Sequence, residues 1–324
     1  MKTDAVIGFD TSNYRTSVAV IGLDGRIFVN ERKLLEVESG KVGLRQSDAV
    51  YMHLKQMKML FEKISGMTDD VRIVAACAST RPRDRENSYM PVFEVGDTLC
   101  RGIGVSLGVP CFFTNHQYGH IRAALYQTTL DPAKPFLAFH LSGGTMDLLS
   151  VTDGKIREMG TSLDLYAGQL IDRVGALLGL SFPAGPELER LAEKGSSCGI
   201  LGCSLEKNDL YCHLSGAETK CRKLLSDEKI SPENLAREIY DLIARTAARM
   251  IAAASKETGM RDVLLCGGVS SSALFRKLLT ERCGKLCNRV KLYFGFPELS
   301  GDNAVGVALY GMDEYRRLYG SQNT

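Results

Sequence analysis

The feature that most constrains the fold of this chain is a pattern that occurs twice, about 130 residues apart. Each copy consists of a strand, a polar or glycine turn, a second strand and an Asp-Gly turn. The first copy has apolar runs at residues 5–10 and 17–22, followed by Asp24-Gly25 and a return strand at residues 26–31. The second copy has apolar runs at residues 135–140 and 148–151, followed by Asp153-Gly154. Because Asp-Gly between apolar runs is a strong hairpin signal, the sequence predicts two related lobes that each begin with an antiparallel meander.

The segments after each meander alternate between helical and strand patterns. Helices are predicted at residues 46–64, 97–107 and 273–279 and after Ser231-Pro232, and buried strands at residues 71–77 and 263–266. A chain of 324 residues is also longer than one hydrophobic core usually supports. We therefore expect an α/β fold with an N-terminal lobe of residues 1–133 and a C-terminal lobe of residues 134–324. The last helix is expected to pack back on the N-terminal lobe.

Two histidines four residues apart, His116 and His120, are the strongest candidates for a functional site. On a helix, residues at positions i and i+4 lie on one face, where two imidazoles can share one divalent metal. Such pairs are also common as solvated or core residues, but the late aspartate in Ser300-Gly-Asp-Asn303 favours a metal site. Gln117 occupies the position at which the zinc-protease pattern needs its glutamate base. The sequence therefore argues against peptide hydrolysis by the usual zincin mechanism.

Three glycine-containing turns follow predicted strands, among them Leu141-Ser-Gly-Gly144 and Gly267-Gly268. A single turn of this kind is explained by tight chain reversal, because glycine adopts positive φ without strain. Several such turns at strand ends indicate a further role, since their backbone amides point together and bind phosphate or carboxylate oxygens. The sequence therefore predicts a nucleotide-binding cleft between the two lobes.

Composition limits the class of protein. Hydrophobic residues make up 44% of the chain and charged residues 24%, and no apolar run approaches the roughly 20 residues of a membrane span. The first residues do not resemble a signal peptide, and ten scattered cysteines are typical of reduced thiols, so we expect a cytoplasmic protein without membrane contacts. A net charge of +2 does not indicate a nucleic-acid binder, although a local basic groove can be hidden in a balanced total.

A second, weaker metal candidate is a group of cysteines in a short polar segment. The group consists of Cys198, Cys203, Cys212 and Cys221, with His213 nearby. Structural zinc sites usually contain a Cys-x-x-Cys pair, whereas these spacings are irregular. The histidine pair is therefore the preferred metal site.

A series of short motifs resembles TsaD, the family of threonylcarbamoyl transferases that modify tRNA. The motifs are Gly8-Phe-Asp-Thr-Ser12, Asn115-His-Gln-Tyr-Gly-His120, Leu141-Ser-Gly-Gly144, Ser162-Leu-Asp164, Ala167-Gly168, Asp172, Phe182-Pro-Ala-Gly-Pro186, Leu265-Cys-Gly-Gly268 and Gly301-Asp-Asn-Ala304. Their order and spacing over nearly the whole chain are specific, although no single motif is. The resemblance implies the two-lobed fold of actin, sugar kinases and heat-shock chaperones (ASKHA), built from duplicated RNase-H-like domains.

The resemblance also implies a set of site residues. One divalent metal, zinc or iron, would be held by His116, His120 and Asp302, since imidazole and carboxylate ligands suit both ions. An adenine nucleotide, either AMP, ATP or an acyl-adenylate, would be bound by Ser142, Gly143, Gly144, Asp172, Gly185 and Ser272. No catalytic side chain is assigned, because an activated donor with a good leaving group needs mainly positioning and charge stabilisation.

The departures from the family pattern lie around the substrate. The acidic turn after Thr-Ser is here Asn13-Tyr14-Arg15, and a Gly-Pro-Gly loop is replaced by Arg81-Pro-Arg-Asp-Arg-Glu86. Thr145 replaces a histidine, and Ser272 replaces an asparagine of the adenosine turn. The residues that match the family's metal ligands are retained, whereas several residues expected around the substrate differ. This combination is typical of a divergent bacterial paralogue.

The activity that the resemblance implies is metal-dependent transfer of a threonylcarbamoyl group. The donor would be threonylcarbamoyl-AMP, and the acceptor the N6 amine of the tRNA adenosine next to the anticodon. Arg81, Arg83 and Arg85 are candidates for tRNA phosphate contacts, and a TsaB-like or homodimeric partner is expected. Two alternatives stay open: a carbamoyl-type transferase with a non-tRNA, anionic acceptor, and a catalytically silent partner subunit of a TsaD complex. The preserved histidine pair argues against the silent subunit.

Overall fold

The computed structural model describes residues 2–12, 15–36, 44–84 and 88–320. The strands are β1 (Thr3–Thr11), β2 (Arg15–Gly22), β3 (Ile27–Leu34), β4 (Val71–Ser79), β5 (Cys111–Thr114), β6 (Phe136–Leu141), β7 (Met146–Thr152), β8 (Lys155–Thr161), β9 (Ser204–Glu206), β10 (Tyr211–His213), β11 (Asp262–Cys266) and β12 (Lys291–Phe294). The helices are α1 (Gln46–Ile64), α2 (Phe93–Leu107), α3 (His116–Leu125), α4 (Ala167–Leu177), α5 (Gly185–Lys194), α6 (Ser215–Ser226), α7 (Pro232–Thr258), α8 (Ala273–Leu286) and α9 (Val305–Tyr319). None of the helices in these ranges combines the length and the apolar character that a membrane crossing requires.

The chain divides into two compact units. Unit 1 contains Met1–Tyr126 and Gly301–Thr324, and unit 2 contains Gln127–Ser300. The boundary that the sequence places at residue 133 thus lies inside unit 2. Helix α9, at the end of the chain, is part of unit 1.

Unit 1 is built on a five-stranded sheet with the order β3-β2-β1-β4-β5. The first three strands form the predicted antiparallel meander, and β4 and β5 continue the sheet in parallel with β1. Along β1, Ala5, Ile7 and Phe9 join a core that includes residues of α1 and α2. The residues between them face α9, where a Cβ on Gly8 would lie 2.7 Å from the Ala308 nitrogen. Both faces of β1 are therefore covered, which explains its nearly continuous apolar run.

Unit 2 repeats this arrangement with the strand order β12-β11-β6-β7-β8. Strands β6, β7 and β8 form the antiparallel meander, and β11 and β12 extend the sheet in parallel with β6. Both predicted Asp-Gly turns are present, with positive φ at Gly25 and at Asp153 and Gly154. The duplicated α/β architecture that the sequence predicts is therefore confirmed.

The core of unit 2 is organised by α7, the long helix that begins at Pro232. The Ser231 hydroxyl accepts a hydrogen bond from the Asn234 amide and caps the helix. Leu235, Ile239 and Ile243 are fully buried in the apolar cluster that also contains residues of β6 and α4. The predicted cap and apolar face are thus confirmed.

Candidate functional site

The histidine pair lies on the first turns of α3, as the i, i+4 spacing predicts. Asn115 precedes the helix, and its Oδ1 accepts a hydrogen bond from the Tyr118 amide at 2.8 Å. The carbonyl oxygens of Arg81 and Pro82 accept hydrogen bonds from the His116 and Gln117 amides. The first amides of α3, which have no partner within the helix, are thus bonded to the side chain of Asn115 and the loop after β4. These contacts fix the start of the helix and with it the direction of both imidazoles.

His116, His120 and Asp302 bring three potential metal ligands together within unit 1. The His120 Nε2 lies 3.1 Å from the His116 Nε2 and 3.2 Å from the Asp302 Oδ1. The remaining distance, from the His116 Nε2 to the Asp302 Oδ1, is 3.7 Å. Ligands bound to one tetrahedral zinc at about 2.0–2.1 Å would be about 3.3–3.4 Å apart. The donor atoms therefore have the type and the spacing that a zinc or iron ion needs, and they form the only such group found in the described ranges.

Asp302 reaches this position because α9 approaches α3 closely. A Cβ on Gly306 would overlap the Gly119 carbonyl oxygen, so the two helix backbones meet at these glycines. The loop before α9 is held by Asn303, whose Oδ1 accepts a hydrogen bond from the Val305 amide. The aspartate is separated by 182 residues from His120 in sequence, and helix contact alone brings them together.

Asp10 lies behind His116 and is fully buried at the end of β1. Its Oδ2 and Oδ1 lie 2.9 Å and 3.0 Å from the His116 Nδ1, and the Ser79 hydroxyl donates to Oδ1 at 2.5 Å. A carboxylate only accepts hydrogen bonds, so the Nδ1 carries the proton and the Nε2 faces His120 and Asp302, where a metal would bind. In the sequence, Asp10 belongs to the Gly8-Phe-Asp-Thr-Ser12 motif, and no role was predicted for it. Its position at the carboxyl end of a buried strand was the available signal.

The charges in the cluster oppose the effect of burial. Burial lowers the pKa of His116, but the carboxylates of Asp10 and Asp302 together raise that pKa to about 9. Burial raises the pKa of Asp302, yet the hydrogen bond from His120 and the nearby positive charges hold it well below its usual range. Without a metal, His116 therefore carries a second ring proton, on Nε2, and Asp302 carries a negative charge at neutral pH. A metal ion would have to displace the Nε2 proton.

Two arginines of the meander lie beside Asp302. The Arg15 Nη1 donates to the Asp302 carbonyl oxygen at 3.3 Å. Burial lowers the pKa of Arg32, and the positive charge of the nearby Arg15 lowers it further. A Cβ on Gly301 would be 3.1 Å from Arg15 Nη1 and 3.9 Å from Arg32 Nη1. Arg15 therefore places positive charge next to Asp302, one of the predicted metal ligands.

The arginines of the loop after β4 are only partly described. Arg81 forms an ion pair with Asp84 at 2.6 Å, so its charge is already matched. The positive charge of Arg83 acts on His116 and lowers the pKa of that imidazole. Arg85 lies outside the described residues. A role for this loop in contacting tRNA phosphates stays a prediction.

The Ser142-Gly143-Gly144 turn of unit 2 follows β6 and is exposed at both glycines. A Cβ on Gly143 or Gly144 would meet nothing within 4 Å, so the space in front of the turn is open. The turn rests on the start of α4, where the Gly168 amide donates to the Ser142 carbonyl at 3.1 Å. A Cβ on Gly168 would lie 2.7 Å from the Gly143 nitrogen, so glycine is needed there for the close approach. A helix N-terminus beside an open glycine turn suits a phosphate group.

The other predicted nucleotide contacts of unit 2 lie around Tyr240. The buried Tyr240 hydroxyl donates to the Gly185 carbonyl oxygen at 3.0 Å. Burial raises the pKa of Tyr240, the negative charges of Glu189 and Asp172 raise it further, and a hydrogen bond with Ser272 lowers it. Gly185 and Ser272, which are far apart in sequence, therefore both contact one phenol, and the charge of Asp172 acts on the same group. Tyr240 was not predicted from the sequence, because a tyrosine within an apolar helix face is typical of a core residue.

Asp172 and Ser272 also have local structural roles. The Asp172 Oδ1 accepts a hydrogen bond from the Ala184 amide at the start of α5, and burial raises the pKa of this carboxyl group. The Ser272 hydroxyl accepts a hydrogen bond from the Phe275 amide and caps α8. Glu189, which was also not predicted from the sequence, accepts a hydrogen bond from the Leu274 amide at the same helix start. Their contact with a nucleotide stays a prediction.

The cysteine group does not assemble. Cys212 and Cys221 are buried in the apolar core of unit 2, whereas Cys198 is exposed. Burial raises the pKa of Cys212 to about 11 and that of Cys221 to about 12. Zinc binds the thiolate form, so these two thiols are poor ligands in this environment. The irregular spacing in the sequence and the burial of these two thiols both argue against a zinc site here.

Two units that share one strand order, one of them carrying a His-His-Asp cluster, define a protein of the ASKHA fold class. Solved structures support this: a HypF from T. kodakarensis has a TM-score of 0.62 at 16% identity and covers 99% of this chain, which spans 48% of that chain. A ROK hexokinase from Thermus thermophilus has a TM-score of 0.55 at 15% identity, with 97% and 99% of the two chains covered. At these identities the likeness shows the fold alone.

Sequence comparison identifies the family. The sequence model of TsaD, tRNA N6-adenosine threonylcarbamoyltransferase, matches residues 90–309. A relative of that name from Thermus thermophilus is 31% identical over 330 residues, which cover 98% of this chain and 94% of the relative. The relative from a second strain of the same species is 31% identical over 325 residues, covering 96% and 93%. The chain belongs to the TsaD family and is a transferase of the class that modifies tRNA.

Proposed function

We propose that this chain transfers a threonylcarbamoyl group from threonylcarbamoyl-AMP to the N6 amine of the tRNA adenosine next to the anticodon, in a metal-dependent reaction. The observation that carries this proposal is the convergence of His116, His120 and Asp302, with donor atoms 3.1–3.7 Å apart. Family membership supplies the reaction type. The geometry of the cluster supports the dependence on metal.

His116, His120 and Asp302 would hold the ion, and Asp10 would orient His116 through its Nδ1 proton. A bound zinc or iron ion would polarise an oxygen of the transferred carbamoyl group. Three protein ligands leave coordination positions for a substrate, as in catalytic rather than structural zinc sites. Arg15 adds positive charge next to Asp302, which favours an anionic group of the donor in this part of unit 1.

The residues of unit 2 support an adenine nucleotide as part of the donor. The open turn at Ser142-Gly143-Gly144 presents backbone amides to a phosphate, next to the N-terminus of α4. Asp172, Gly185 and Ser272 around Tyr240 offer hydrogen-bond acceptors for ribose hydroxyls and adenine. An acyl-adenylate needs no protein nucleophile, so the side chains of this chain act by binding and orientation.

The test is restoration of threonylcarbamoyladenosine in cells depleted of their own transferase, measured by mass spectrometry of digested tRNA. The parent chain should restore the nucleoside, and the double variant His116→Ala/His120→Ala should not. The same double variant should lose its metal by elemental analysis. His213→Ala is the matched control, because His213 lies in β10 of unit 2 and should leave both readouts unchanged. Full metal content in the double variant would refute the ligand assignment.

A second candidate is carbamoyl-type transfer to a small anionic acceptor. Arg15 and Arg32 favour it, because they place two guanidinium groups beside Asp302, and Arg15 occupies the turn that is acidic in the family. In this case the parent would bind the metal but would not restore the modified nucleoside. A chain that binds the metal but supports transfer neither to tRNA nor to a small anionic acceptor would act as a silent subunit.

A further inference from the structure

Unit 2 contains a wide groove between the C-terminal half of α7 and the C-terminal end of α8. The loop of residues 287–290 after α8 and the region of Asp209 also line it. We call it the α7–α8 groove. Its volume is about 1450 Å³, which exceeds the roughly 300–1,000 Å³ of a typical small-molecule pocket. The groove therefore has the size of a contact surface for a macromolecule.

Positive charge is concentrated in the α7–α8 groove. Seven arginine and lysine side chains line it, against only two carboxylates, Asp209 and Glu257, which leaves a surplus of five positive charges. The whole chain has a net charge of only +2, so the rest of the molecule is negative by three. The balanced total of the sequence thus conceals one strongly basic surface.

Three of these cations build the walls of the groove. Arg249 forms a double hydrogen bond with the Asp209 carboxylate at 3.0 Å. Arg245 and Arg282 bind the two oxygens of the buried Asp241 at 2.9 Å and 2.7 Å. These charge-matched contacts tie α7 to α8 and to the loop before β10. They fix the shape of the groove and do not need an outside partner.

The other four cations are exposed and unmatched. Lys256 lies in the last turn of α7, Arg261 follows that helix, Lys285 lies in the last turn of α8, and Arg289 follows α8. Among the residues that the structure describes, none gives any of these four a carboxylate partner. Lysines in a last turn also stabilise the helix dipole, which would explain Lys256 and Lys285. Arg261 and Arg289 lie beyond the helix ends, so that explanation does not cover them.

The lining of the groove also indicates which part of a nucleic acid it fits. Ala252, Ala253 and Gly259 are small and allow close approach of a chain. No aromatic side chain occurs among the described lining residues, so there is no platform on which bases could stack. Cations without stacking platforms or base-reading geometry contact phosphates and are insensitive to sequence.

We propose that the α7–α8 groove binds the sugar–phosphate backbone of the tRNA substrate through Lys256, Arg261, Lys285 and Arg289. This inference rests on the proposed function for the identity of the RNA. It assigns unit 2 a contact surface that is independent of the metal ligands. It also explains how a chain with an almost balanced total charge binds a polyanion.

The test compares two variants that lose the same number of charges. The groove variant is Lys256→Gln/Arg261→Gln/Lys285→Gln/Arg289→Gln. The control variant is Lys155→Gln/Arg190→Gln/Lys194→Gln/Lys223→Gln, which removes four exposed cations of unit 2 outside the groove. The control includes two last-turn lysines, Lys194 and Lys223, so it matches the effect on helix dipoles. Filter binding of total tRNA is measured for both variants and the parent as the salt concentration is varied.

Each phosphate contact contributes about 0.7–0.9 to the slope of log affinity against log salt. The groove variant should therefore have a slope smaller by about 3, while the control keeps the parent slope. A tenfold decrease in salt then raises the affinity of the parent about a thousandfold more than that of the groove variant. The decrease in slope from the parent to the groove variant should be the same for tRNAs with and without the reacting adenosine. Metal content and AMP binding should be unchanged.

The outcomes separate this proposal from the proposed function. If the parent modifies tRNA but the groove variant keeps the full slope, the groove proposal is overturned and the function stands. If only the groove variant loses salt-dependent binding but the parent modifies no tRNA, the groove proposal stands and the function fails. The groove variant could also bind tRNA as well as the parent does but lose binding of poly-glutamate. That result would identify an acidic protein segment as the partner and would overturn the proposal.

Discussion

Replacing Asp10 with asparagine removes the charge behind His116 and keeps nearly the same side-chain shape. In the parent, both Asp10 oxygens lie within 3.0 Å of the His116 Nδ1, and the carboxylate is fully buried. An asparagine can still accept one hydrogen bond from Nδ1. It can also present its NH₂ group, which would favour the tautomer with the proton on Nε2, where the metal binds.

The expected cost follows from the hydrogen bond that is weakened. A bond to a charged group contributes about 1.5–3 kcal/mol and a neutral one about 0.5–1.5 kcal/mol. The midpoints of these ranges differ by about 1.25 kcal/mol, which corresponds to a nearly tenfold weaker metal affinity. The tautomer effect adds to this loss, and partners behind metal-bound histidines typically contribute ten- to hundredfold. Asp10→Asn should therefore weaken zinc binding about ten- to hundredfold.

Proton competition acts in the opposite direction at neutral pH. Burial lowers the pKa of His116, but Asp10 and Asp302 raise it to about 9, so zinc must displace a proton in the parent below that pH. Removing the Asp10 charge lowers this pKa and weakens the competition. The defect of Asp10→Asn should therefore be small at pH 7 and reach its full size above pH 9. Competition with a chromogenic chelator at both pH values measures it.

Ser79→Ala is the graded control, because it removes only the hydroxyl that donates to Asp10. It should weaken zinc binding less than Asp10→Asn does at every pH. Circular dichroism checks that both variants remain folded. Equal zinc affinity of parent and Asp10→Asn at pH 9.5 would refute the orienting role of Asp10.

Three further predictions concern the two units. Asp172→Asn should weaken AMP binding about tenfold in calorimetry, because it keeps the acceptor for the Ala184 amide but loses the charge; unchanged affinity would remove Asp172 from the site. Gly306→Ala should lower the melting temperature and the metal content, because its Cβ would overlap the Gly119 carbonyl oxygen and separate α3 from α9; a fully metallated variant with parent stability would contradict this. His53 is buried, and burial lowers its pKa to about 4. The unfolded chain therefore takes up the proton first, so stability should fall by up to about 3 kcal/mol as the pH decreases from 6.5 to 4. NMR titration of the histidine rings should show a ring that stays neutral at pH 5 and whose signal is absent in His53→Gln.

Local patterns were sufficient to predict the repeated architecture. The Asp-Gly turns, the apolar runs of β1 and β6 and the cap at Ser231 act through neighbouring residues, so their sequence carries the information. Membership of an ASKHA family followed from the order of short motifs. The i, i+4 spacing of His116 and His120 likewise placed both imidazoles on one helix face, because helix geometry alone determines it.

Buried polar contacts were harder to predict. In the sequence, Asp10 is simply the end of a predicted strand. Tyr240 is simply one position on the apolar face of a predicted helix. Their roles depend on which groups oppose them: His116 for Asp10, and Gly185 for Tyr240. Pairing between distant segments is set by tertiary packing, so residue type and spacing do not reveal it.

The sequence by itself determined the two meanders, the helix that carries the histidine pair and the family. The tertiary structure decided the distance from Asp302 to His120, since that distance depends on the close contact of α3 and α9 at Gly119 and Gly306. It also decided where the charges lie. Lys256, Arg261, Lys285 and Arg289 are ordinary surface residues in the sequence, and only the packing of α7 beside α8 gathers them into one groove. Helices and turns are encoded by short-range interactions, whereas charge clusters and ligand sets arise from contacts between segments far apart in the chain.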